Sequence, residues 1–230
     1  MDIIILCGGI GSRISSISEG LPKALMPVGN GLFIDILLNR LEKFSKTIYL
    51  SLCYKPELFL AFLNNSKYKE FVKPIIEKEP LDTGGAILNV LNNSNIESSF
   101  FVVNGDSISD INLRAMKNYY LRKSWAGIIG MSKVPDTARY GSIDYKDGQV
   151  LSFIEKSGSN GSGWINNGHY IFNKDIFQKF SNRFSLEKDV LPDLVEKNIL
   201  GGFVTEGDNF IDMGVPEDYR RLCLDYKNKP

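Results

Sequence analysis

Short apolar runs alternate with amphipathic segments through the first half of the chain. Continuous apolar runs that end in glycine or turn residues are typical of strands buried on both faces, whereas apolar positions at helical spacing predict helices packed on a sheet. The predicted strands are 2–7, 47–52, 71–79 and 100–106, and the predicted helices are 32–44, 56–65 and 83–93. This alternation predicts an α/β fold of the Rossmann-like, doubly wound type, with a mostly parallel mixed sheet.

The pattern changes after residue 124, where strands follow one another without intervening helices. These strands are 124–134, 140–156 and 163–172, with the clearest hairpin turn at Asp147-Gly148. Helices are predicted around 174–181 and 185–197, and a last helix begins at Pro216. We therefore expect a single domain over 1–230. Its parts are a first portion (about 1–132), a smaller β-rich portion (about 133–211) and a closing segment (212–230).

Composition narrows the class of protein. Among 230 residues, 27 basic residues balance 27 acidic ones, and the absence of a basic excess argues against a nucleic-acid partner. No apolar stretch is long enough to span a membrane, and the amino terminus has no basic region of a secretory signal. The three cysteines, Cys7, Cys53 and Cys223, are far apart and lack metal-ligand spacing, which favours a reducing compartment. The sequence thus predicts a cytoplasmic protein with no membrane partner.

A glycine-rich stretch with two separated cations follows the first predicted strand. Gly8, Gly9 and Gly11 leave the backbone bare, and successive bare amides form a nest that binds anions. Arg13 offers a planar fork for phosphate, and Lys23 offers a compact point charge. A tight strand-to-helix turn alone would also explain the glycines. The added cations favour a phosphorylated ligand.

Two known phosphate-binding motifs do not fit this stretch. No Gly-Lys-Ser/Thr follows the glycines, so it is not a Walker loop. Ile14 stands where a dinucleotide fingerprint needs its third glycine, and Asp35 falls inside a predicted helix instead of pairing with a ribose. A nicotinamide-dependent oxidoreductase is therefore disfavoured.

Ligands of open α/β sheets bind at the carboxyl ends of the strands. The glycine stretch and the segment 104–106 both follow strand ends, so we expect them to share one crevice. Taken singly, Asp106 is also a common turn residue, and Asp212 could simply flank the last helix.

An ordered series of motifs resembles the sugar-1-phosphate nucleotidyltransferases over nearly the whole chain. The motifs are Leu6-x-Gly8-Gly9-x-Gly11-x-Arg13, Pro22-Lys23, Glu79-Pro80-Leu81-x-Thr83-Gly84-Gly85-Ala86, Asn104-Gly105-Asp106, Glu155-Lys156, Asn167-Gly168-x-Tyr170 and Asp212-x-Gly214-x-Pro216. Enzymes of this family join a sugar 1-phosphate to a nucleoside triphosphate and release pyrophosphate. The resemblance implies a nucleotide-binding first portion and a sugar-binding second portion.

The resemblance also assigns roles to individual residues. It implies that Arg13, Lys23 and Lys156 are catalytic and that Asp106 and Asp212 bind Mg²⁺. The implied nucleotide-binding residues are Leu6, Gly8, Gly9, Gly11, Ser12, Arg13, Lys23, Glu79, Pro80, Thr83, Gly84 and Gly105. The implied sugar-phosphate-binding residues are Asn104, Gly141, Glu155, Lys156 and Asn167. Gly141 is equally compatible with a strand bulge, and Asn167 with a turn cap.

The chemistry of the reaction suits this residue set. A sugar phosphate has a second pKa near 6, so the nucleophile is already largely a dianion at neutral pH and needs no general base. The chain accordingly offers a single histidine, His169. Repulsion between two polyanions is the main obstacle, so catalysis should rest on positioning and charge neutralisation.

Glu79 carries the prediction about the nucleotide. Guanine presents two adjacent donors that one carboxylate accepts, whereas the carbonyls of uracil and thymine would repel it. A solvated surface charge is the other interpretation of this glutamate. The loop and the chain length most resemble the branch of the family that uses GTP and D-glycero-α-D-manno-heptose 1-phosphate. Mannose 1-phosphate as acceptor, and UTP, CTP or dTTP as donor, stay open.

The sequence departs from the family in a few places. Ser157 follows Lys156 where proline is usual, which weakens the assignment of Lys156, and Ser12 replaces the commoner threonine. A non-catalytic nucleotide-sugar sensor is a further alternative, but it should have lost Arg13, Lys23, Asp106 or Asp212. The chain ends soon after the last motif, so one activity is expected. The oligomeric state is open, with a homodimer as one option.

Overall fold

Nine strands form one mixed sheet in a computed structural model that describes residues 1–9, 11, 14–154, 161–205 and 209–227. The strands of this sheet are β1 (Ile3–Leu6), β4 (Ile48–Leu52), β5 (Val72–Ile76), β6 (Ser99–Asn104), β8 (Gly127–Val134), β9 (Ser142–Lys146), β10 (Gln149–Ile154), β11 (Gly163–Asn173) and β12 (Leu200–Thr205). Their order is β5-β4-β1-β6-β11-β8-β12-β10-β9. Two short pairs lie outside it: β2 (Pro27–Val28) with β3 (Gly31–Leu32), and β7 (Ser107–Ile108) with β13 (Ile211–Asp212).

The first four strands of this order are parallel, as the sequence predicts. β1 pairs with β4 and β6, and Leu6 is in register with Ser51 on one side and Asn104 on the other. β4 also pairs in parallel with β5. The carboxyl ends of these strands therefore meet at one edge of the sheet, and the segments that follow them are neighbours.

The other half of the sheet is mostly antiparallel. β11 pairs antiparallel with both β6 and β8, and its register shifts between Asn166 and Tyr170. β9 and β10 form the predicted hairpin, with Asp147 and Gly148 both in the left-handed region. The register shift in β11 lies beside the carboxyl end of β6, which is next to the predicted crevice.

Helices cover both faces of the sheet. The helices are α1 (Ser15–Ser18), α2 (Phe33–Leu41), α3 (Pro56–Asn64), α4 (Asp82–Asn93), α5 (Leu113–Leu121), α6 (Leu191–Glu196) and α7 (Pro216–Tyr226). Ile3 and Ile5 of β1 point into a cluster that includes α2 and α5, whereas Ile4 points into a second cluster with α4 and α6. Successive side chains of a strand face opposite sides, so a wholly apolar strand has to be covered twice. The doubly wound fold is confirmed.

The predicted helices between 174 and 197 are shorter than expected. The first is a single 3-10 turn, Lys174–Phe177, and the second begins as a π-helical turn, Leu186–Val190, before α6. Pro192 lies at the start of α6 and has no amide hydrogen, so it cannot continue an α-helical ladder from the preceding turn. Helical periodicity alone does not reveal this break.

Strand β12 was not anticipated from the sequence, because Gly201 and Gly202 lower its strand propensity. The structure shows why glycine is needed there. A Cβ on Gly201 would lie 2.5 Å from the Trp125 ring, and one on Gly202 would lie 2.5 Å from Met131 Cε. Within the described ranges, no helix combines the length and the apolar character needed to cross a lipid bilayer.

Candidate active site at the carboxyl ends of the parallel strands

The glycine stretch, the end of β5 and the end of β6 come together at the carboxyl edge of the sheet. The Gly105 amide donates to the Leu6 carbonyl over 3.0 Å, which joins the ends of β6 and β1. A Cβ placed on Gly8 would lie 2.9 Å from Oε1 of Glu77, the residue directly after β5. The predicted shared crevice is therefore present.

Lys23 reaches from the glycine stretch to the end of β6. Its Nζ donates to Oδ2 of Asp106 over 2.5 Å. Gly11, with φ at 72°, packs on the Lys23 side chain, since a Cβ there would lie 2.9 Å from Lys23 Cε. The glycine is thus required both for the left-handed turn and for the close approach of the lysine stem.

The two aspartates that the sequence assigns to a metal are brought together by the pairing of β13 with β7: Asp212 lies on β13, and Asp106 lies in the turn directly before β7. Asp212 of β13 is in register with Ser107 of β7, and the Met213 amide donates to the Asp106 carbonyl over 2.8 Å. Asp212 is buried, and its Oδ1 accepts the Gly214 amide over 2.7 Å. Residues from opposite ends of the chain therefore meet at one point beside Lys23.

The donor set at this point fits a magnesium ion. Mg²⁺ binds one or two protein carboxylates and takes its remaining ligands from phosphate oxygens and water. Asp212 of β13 and Asp106, in the turn directly before the paired strand β7, supply two carboxylates. Across the residues that the structure covers, no cluster of three or more His, Cys, Asp or Glu side chains forms a closed cage. An open two-carboxylate site is what a metal shared with a triphosphate requires.

Glu77 is a buried carboxylate that sequence reasoning missed. Its side chain is 7 % exposed; Oε1 accepts the Ser51 hydroxyl over 3.0 Å, and Oε2 accepts the Leu81 amide over 3.2 Å. Burial raises the pKa of Glu77, and the bonds from Leu81 and Ser51 oppose that shift. Glu79, which the sequence favours, is exposed, as is Pro80. The missed signal is position: Glu77 immediately follows a parallel strand, where ligand-facing residues occur.

The start of α4 is occupied by the segment 182–187 of the chain itself. The amides of Gly84 and Gly85 both donate to the Phe184 carbonyl over 3.0 Å, and a Cβ on Gly84 would lie 2.4 Å from the Phe184 ring. The Thr83 hydroxyl donates to Glu187 Oε2 over 2.6 Å. The prediction that Gly84 binds nucleotide is wrong for its amide, because these glycines serve close packing against Phe184.

Asn167 does not line the crevice. Its side chain is fully buried, and its Nδ2 donates to the hydroxyls of Ser109 and Ser132 over 3.3 and 3.1 Å. The sugar-binding assignment of Asn167 is therefore wrong. The register shift in β11 explains the error, since a bulge changes which side of the strand each residue faces.

Asn166, the preceding residue of β11, is half-buried. Its Nδ2 donates to the Tyr170 hydroxyl over 2.5 Å, and its Oδ1 accepts the Gly168 amide over 2.9 Å. Burial raises the pKa of Tyr170, with the charges of Glu187 and Asp106 adding to that effect.

Other predicted site residues take clear positions. The Asn104 side chain packs against Gly168, where a Cβ would lie 2.9 Å from Asn104 Cβ. Gly105 is buried and its amide is used by Leu6, so any contact with a nucleotide would come from its carbonyl. Gly9 is exposed, and Gly141 has φ at 84° directly before β9. Ser12, Arg13, Glu155 and Lys156 lie outside the described residues.

Comparisons with known proteins agree with this geometry. A family model described as "Nucleotidyl transferase" matches residues 2–229. The chain is 34 % identical to a D-glycero-α-D-manno-heptose 1-phosphate guanylyltransferase of Aneurinibacillus thermoaerophilus, covering 96 % of each chain. It is 33 % identical to one of Campylobacter jejuni, covering 97 % of this chain and 99 % of that protein. The crystal structure of HddC from Yersinia pseudotuberculosis complexed with GMP-PN superposes with a TM-score of 0.86 at 36 % identity, covering 98 % and 99 %.

Proposed function

This chain belongs to the nucleotidyl transferase family, and on that premise we propose that it transfers GMP from GTP to a sugar 1-phosphate, with release of pyrophosphate. The observation that carries the proposal is the convergence of Lys23, Asp106 and Asp212 beside the glycine stretch. A cation next to two carboxylates on bare backbone suits a metal-bound triphosphate. The guanylyltransferase relatives, similar over nearly the full length, support the same reaction.

The reaction needs little acid–base chemistry from the protein. The sugar phosphate attacks the α-phosphorus in line as a dianion, so the residues have to position two anions and offset their repulsion. Lys23 would grip a phosphate of the nucleotide once its bond to Asp106 opens. Arg13 and Lys156, predicted from the sequence, would supply the remaining positive charge. A magnesium ion held by Asp106 and Asp212 would stabilise charge on the α-phosphate and on the departing pyrophosphate.

We assign the guanine-reading role to Glu77 instead of Glu79. The argument from two adjacent guanine donors needs a buried acceptor, because an exposed carboxylate discriminates weakly when water competes. Glu77 is buried beside Gly8, whereas Glu79 is exposed. Each Glu77 oxygen accepts one protein hydrogen bond and keeps a lone pair for the N1–H and N2–H of guanine.

The sugar that we propose is D-glycero-α-D-manno-heptose 1-phosphate. The two bacterial relatives with that activity match over almost their whole length. Relatives named as mannose-1-phosphate guanyltransferases are longer, and the chain spans 62 % of one from Sulfolobus acidocaldarius. The cytoplasm is the proposed compartment, and its reducing conditions suit the free thiols of Cys7, Cys53 and Cys223.

A pyrophosphate-release assay tests the function directly. The purified chain is mixed with Mg²⁺, each of GTP, ATP, UTP, CTP and dTTP, and each of several sugar 1-phosphates, including the manno-heptose and mannose compounds. We expect the highest kcat/KM for GTP with the heptose 1-phosphate. Turnover with another nucleotide in preference to GTP would overturn the guanine assignment, and no turnover with any pair would overturn the transferase proposal.

A further inference from the structure

A half-buried carboxylate lies between the start of α4 and the sugar-facing strand β11. Glu187 is at the beginning of the π-helical turn Leu186–Val190. Its Oε2 accepts the Thr83 hydroxyl over 2.6 Å and the Ser185 hydroxyl over 3.1 Å. Thr83 is in turn fixed by the Leu186 amide, which donates to its Oγ1 over 2.8 Å. The side chain of Glu187 is thus oriented by several short bonds.

The same carboxylate is close to the polar groups of β11. Its charge contributes to the raised pKa of Tyr170, whose hydroxyl accepts a bond from Asn166 over 2.5 Å. Asn104, two residues before Asp106, also bonds the Tyr170 hydroxyl. Asn104, Asn166 and Tyr170 therefore form one polar group beside the end of β6, and Leu186, the residue before Glu187, packs in the same cluster as Tyr170.

One oxygen of Glu187 is left for a ligand. The hydroxyls of Thr83 and Ser185 both donate to Oε2, and Oε1 has no hydrogen-bond partner among the residues that the structure describes. A carboxylate held in place by two hydroxyls and open on one oxygen is a strong acceptor for a hydroxyl group. The sugar part of a sugar 1-phosphate offers several such groups.

We propose that Glu187 is a specificity-determining residue for the sugar, whose Oε1 accepts a hydrogen bond from a sugar hydroxyl while Thr83 and Ser185 hold Oε2. This proposal rests on the proposed function. It predicts discrimination between epimers, because a sugar with that hydroxyl reversed leaves the oriented carboxylate unsatisfied. Residues 182–187 would then both pack on the glycines of α4 and contribute to recognition of the sugar.

The test is the Glu187→Gln variant, which keeps the shape of the side chain. Its amide oxygen still accepts the Thr83 and Ser185 hydroxyls, so its NH₂ group replaces the ligand-facing acceptor with a donor. We expect kcat/KM for the preferred sugar 1-phosphate to fall about 10- to 100-fold. KM for GTP and the melting temperature should stay near wild type, and the preference among epimeric sugar 1-phosphates should shrink.

Controls separate this role from a structural one. Glu196→Gln removes an exposed carboxylate from nearby α6 and should leave all these values unchanged. Glu187→Asp keeps the negative charge on a side chain that is shorter by one methylene group. Its kcat/KM for the sugar 1-phosphate should fall less than that of Glu187→Gln.

The outcomes against the proposal are distinct. Unchanged sugar kinetics in Glu187→Gln, an equal loss for GTP and sugar, or a loss that follows a lowered melting temperature would each overturn it. Failure of the wild type to release pyrophosphate with any sugar 1-phosphate would instead count against the proposed function.

Discussion

Lys23 and Asp106 are 83 positions apart in the chain, yet the ammonium and the carboxylate form a 2.5 Å hydrogen bond at the carboxyl edge of the sheet. In the function that we propose, a metal-bound triphosphate would use both groups, Lys23 for phosphate and Asp106 for the metal. In the chain without ligand they neutralise each other. Nucleotide binding therefore has to separate the pair, and the metal and the lysine compete for one carboxylate.

This competition predicts that removing the lysine charge raises the affinity for the metal but lowers turnover. In Lys23→Met, Asp106 loses its cation, so the free protein should bind Mn²⁺ or Mg²⁺ more tightly than wild type. Turnover should fall about 100-fold or more, because the phosphate loses its positive partner. Metal titration by calorimetry and pyrophosphate release measure the two effects. Exposed Lys69→Met is the matched control. Unchanged metal affinity in Lys23→Met would argue that Asp106 is not a metal ligand.

A second prediction concerns Asp106 itself. Asp106→Asn keeps the size of the side chain but removes the charge, so the half-saturating Mg²⁺ concentration should rise and kcat should fall by about 100-fold or more. Asp225→Asn, on the exposed side of α7, should leave both parameters unchanged. Steady-state rates over a magnesium series provide the measurement. A normal magnesium profile for Asp106→Asn would place the metal elsewhere.

The parallel half of the sheet was predictable because each of its strands is marked by a short stretch of the sequence itself. Apolar runs such as residues 3–7 have to be buried on both faces, and turn residues mark their carboxyl ends, so the crevice followed from strand order. The two aspartates that we assign to a metal could be singled out because each stands in a recognisable motif. The pairing of β13 with β7 then brings them together, which the sequence could not show.

The sequence misassigned site residues where the direction of a side chain depends on a bulge or on packing between distant parts of the chain. Asn167 and Asn166 differ by one position beside the register shift in β11, and the structure buries Asn167 completely while Asn166 stays half-buried. Glu77 and Glu79 point the same way in a regular strand, and only the end of β5 separates a buried side chain from an exposed one. Gly84 was assigned to the nucleotide because its motif resembles one of the family's nucleotide-binding motifs, and nothing in the sequence places Phe184 against it.

The asparagines of β11 give a third prediction. If Asn166 contacts the sugar in place of Asn167, Asn166→Ala should raise KM for the sugar 1-phosphate with little change in the melting temperature, because its side chain is only half-buried. Asn167→Ala should instead lower stability by about 1–3 kcal/mol, because it leaves the buried hydroxyls of Ser109 and Ser132 without this donor. The measurements are KM for the sugar 1-phosphate and thermal unfolding of both variants. The reverse assignment of effects would restore Asn167 to the sugar site.

Packing at the start of α4 gives a fourth prediction. Gly84→Ala places a methyl group 2.4 Å from the Phe184 ring, so the segment 182–187 has to move. Overpacking of this kind costs about 1–3 kcal/mol of unfolding free energy. Gly9→Ala is the control for stability, since no atom of the described residues lies within 4 Å of the added methyl group. Thermal or denaturant unfolding measures the difference. Equal stability of the two variants would contradict the close packing.

The raised pKa of Glu77 gives a prediction about pH. Burial favours the protonated acid in the folded state, so its pKa lies above its ordinary value of 4.5. Wild type should therefore gain stability relative to Glu77→Gln as the pH falls towards that value, and lose this advantage as the pH rises through the raised pKa. Guanine requires the carboxylate, so KM for GTP should begin to rise at a higher pH than an ordinary glutamate would give.

Two variants isolate this effect from titration of the substrate phosphates. Glu77→Gln should raise KM for GTP about tenfold or more at neutral pH, and its remaining pH dependence should come from the phosphates alone. Glu79→Gln should keep the wild-type pH profile and nucleotide preference. The measurement is KM for GTP across the acidic range in all three proteins. A wild-type profile for Glu77→Gln, together with an altered one for Glu79→Gln, would return guanine recognition to Glu79.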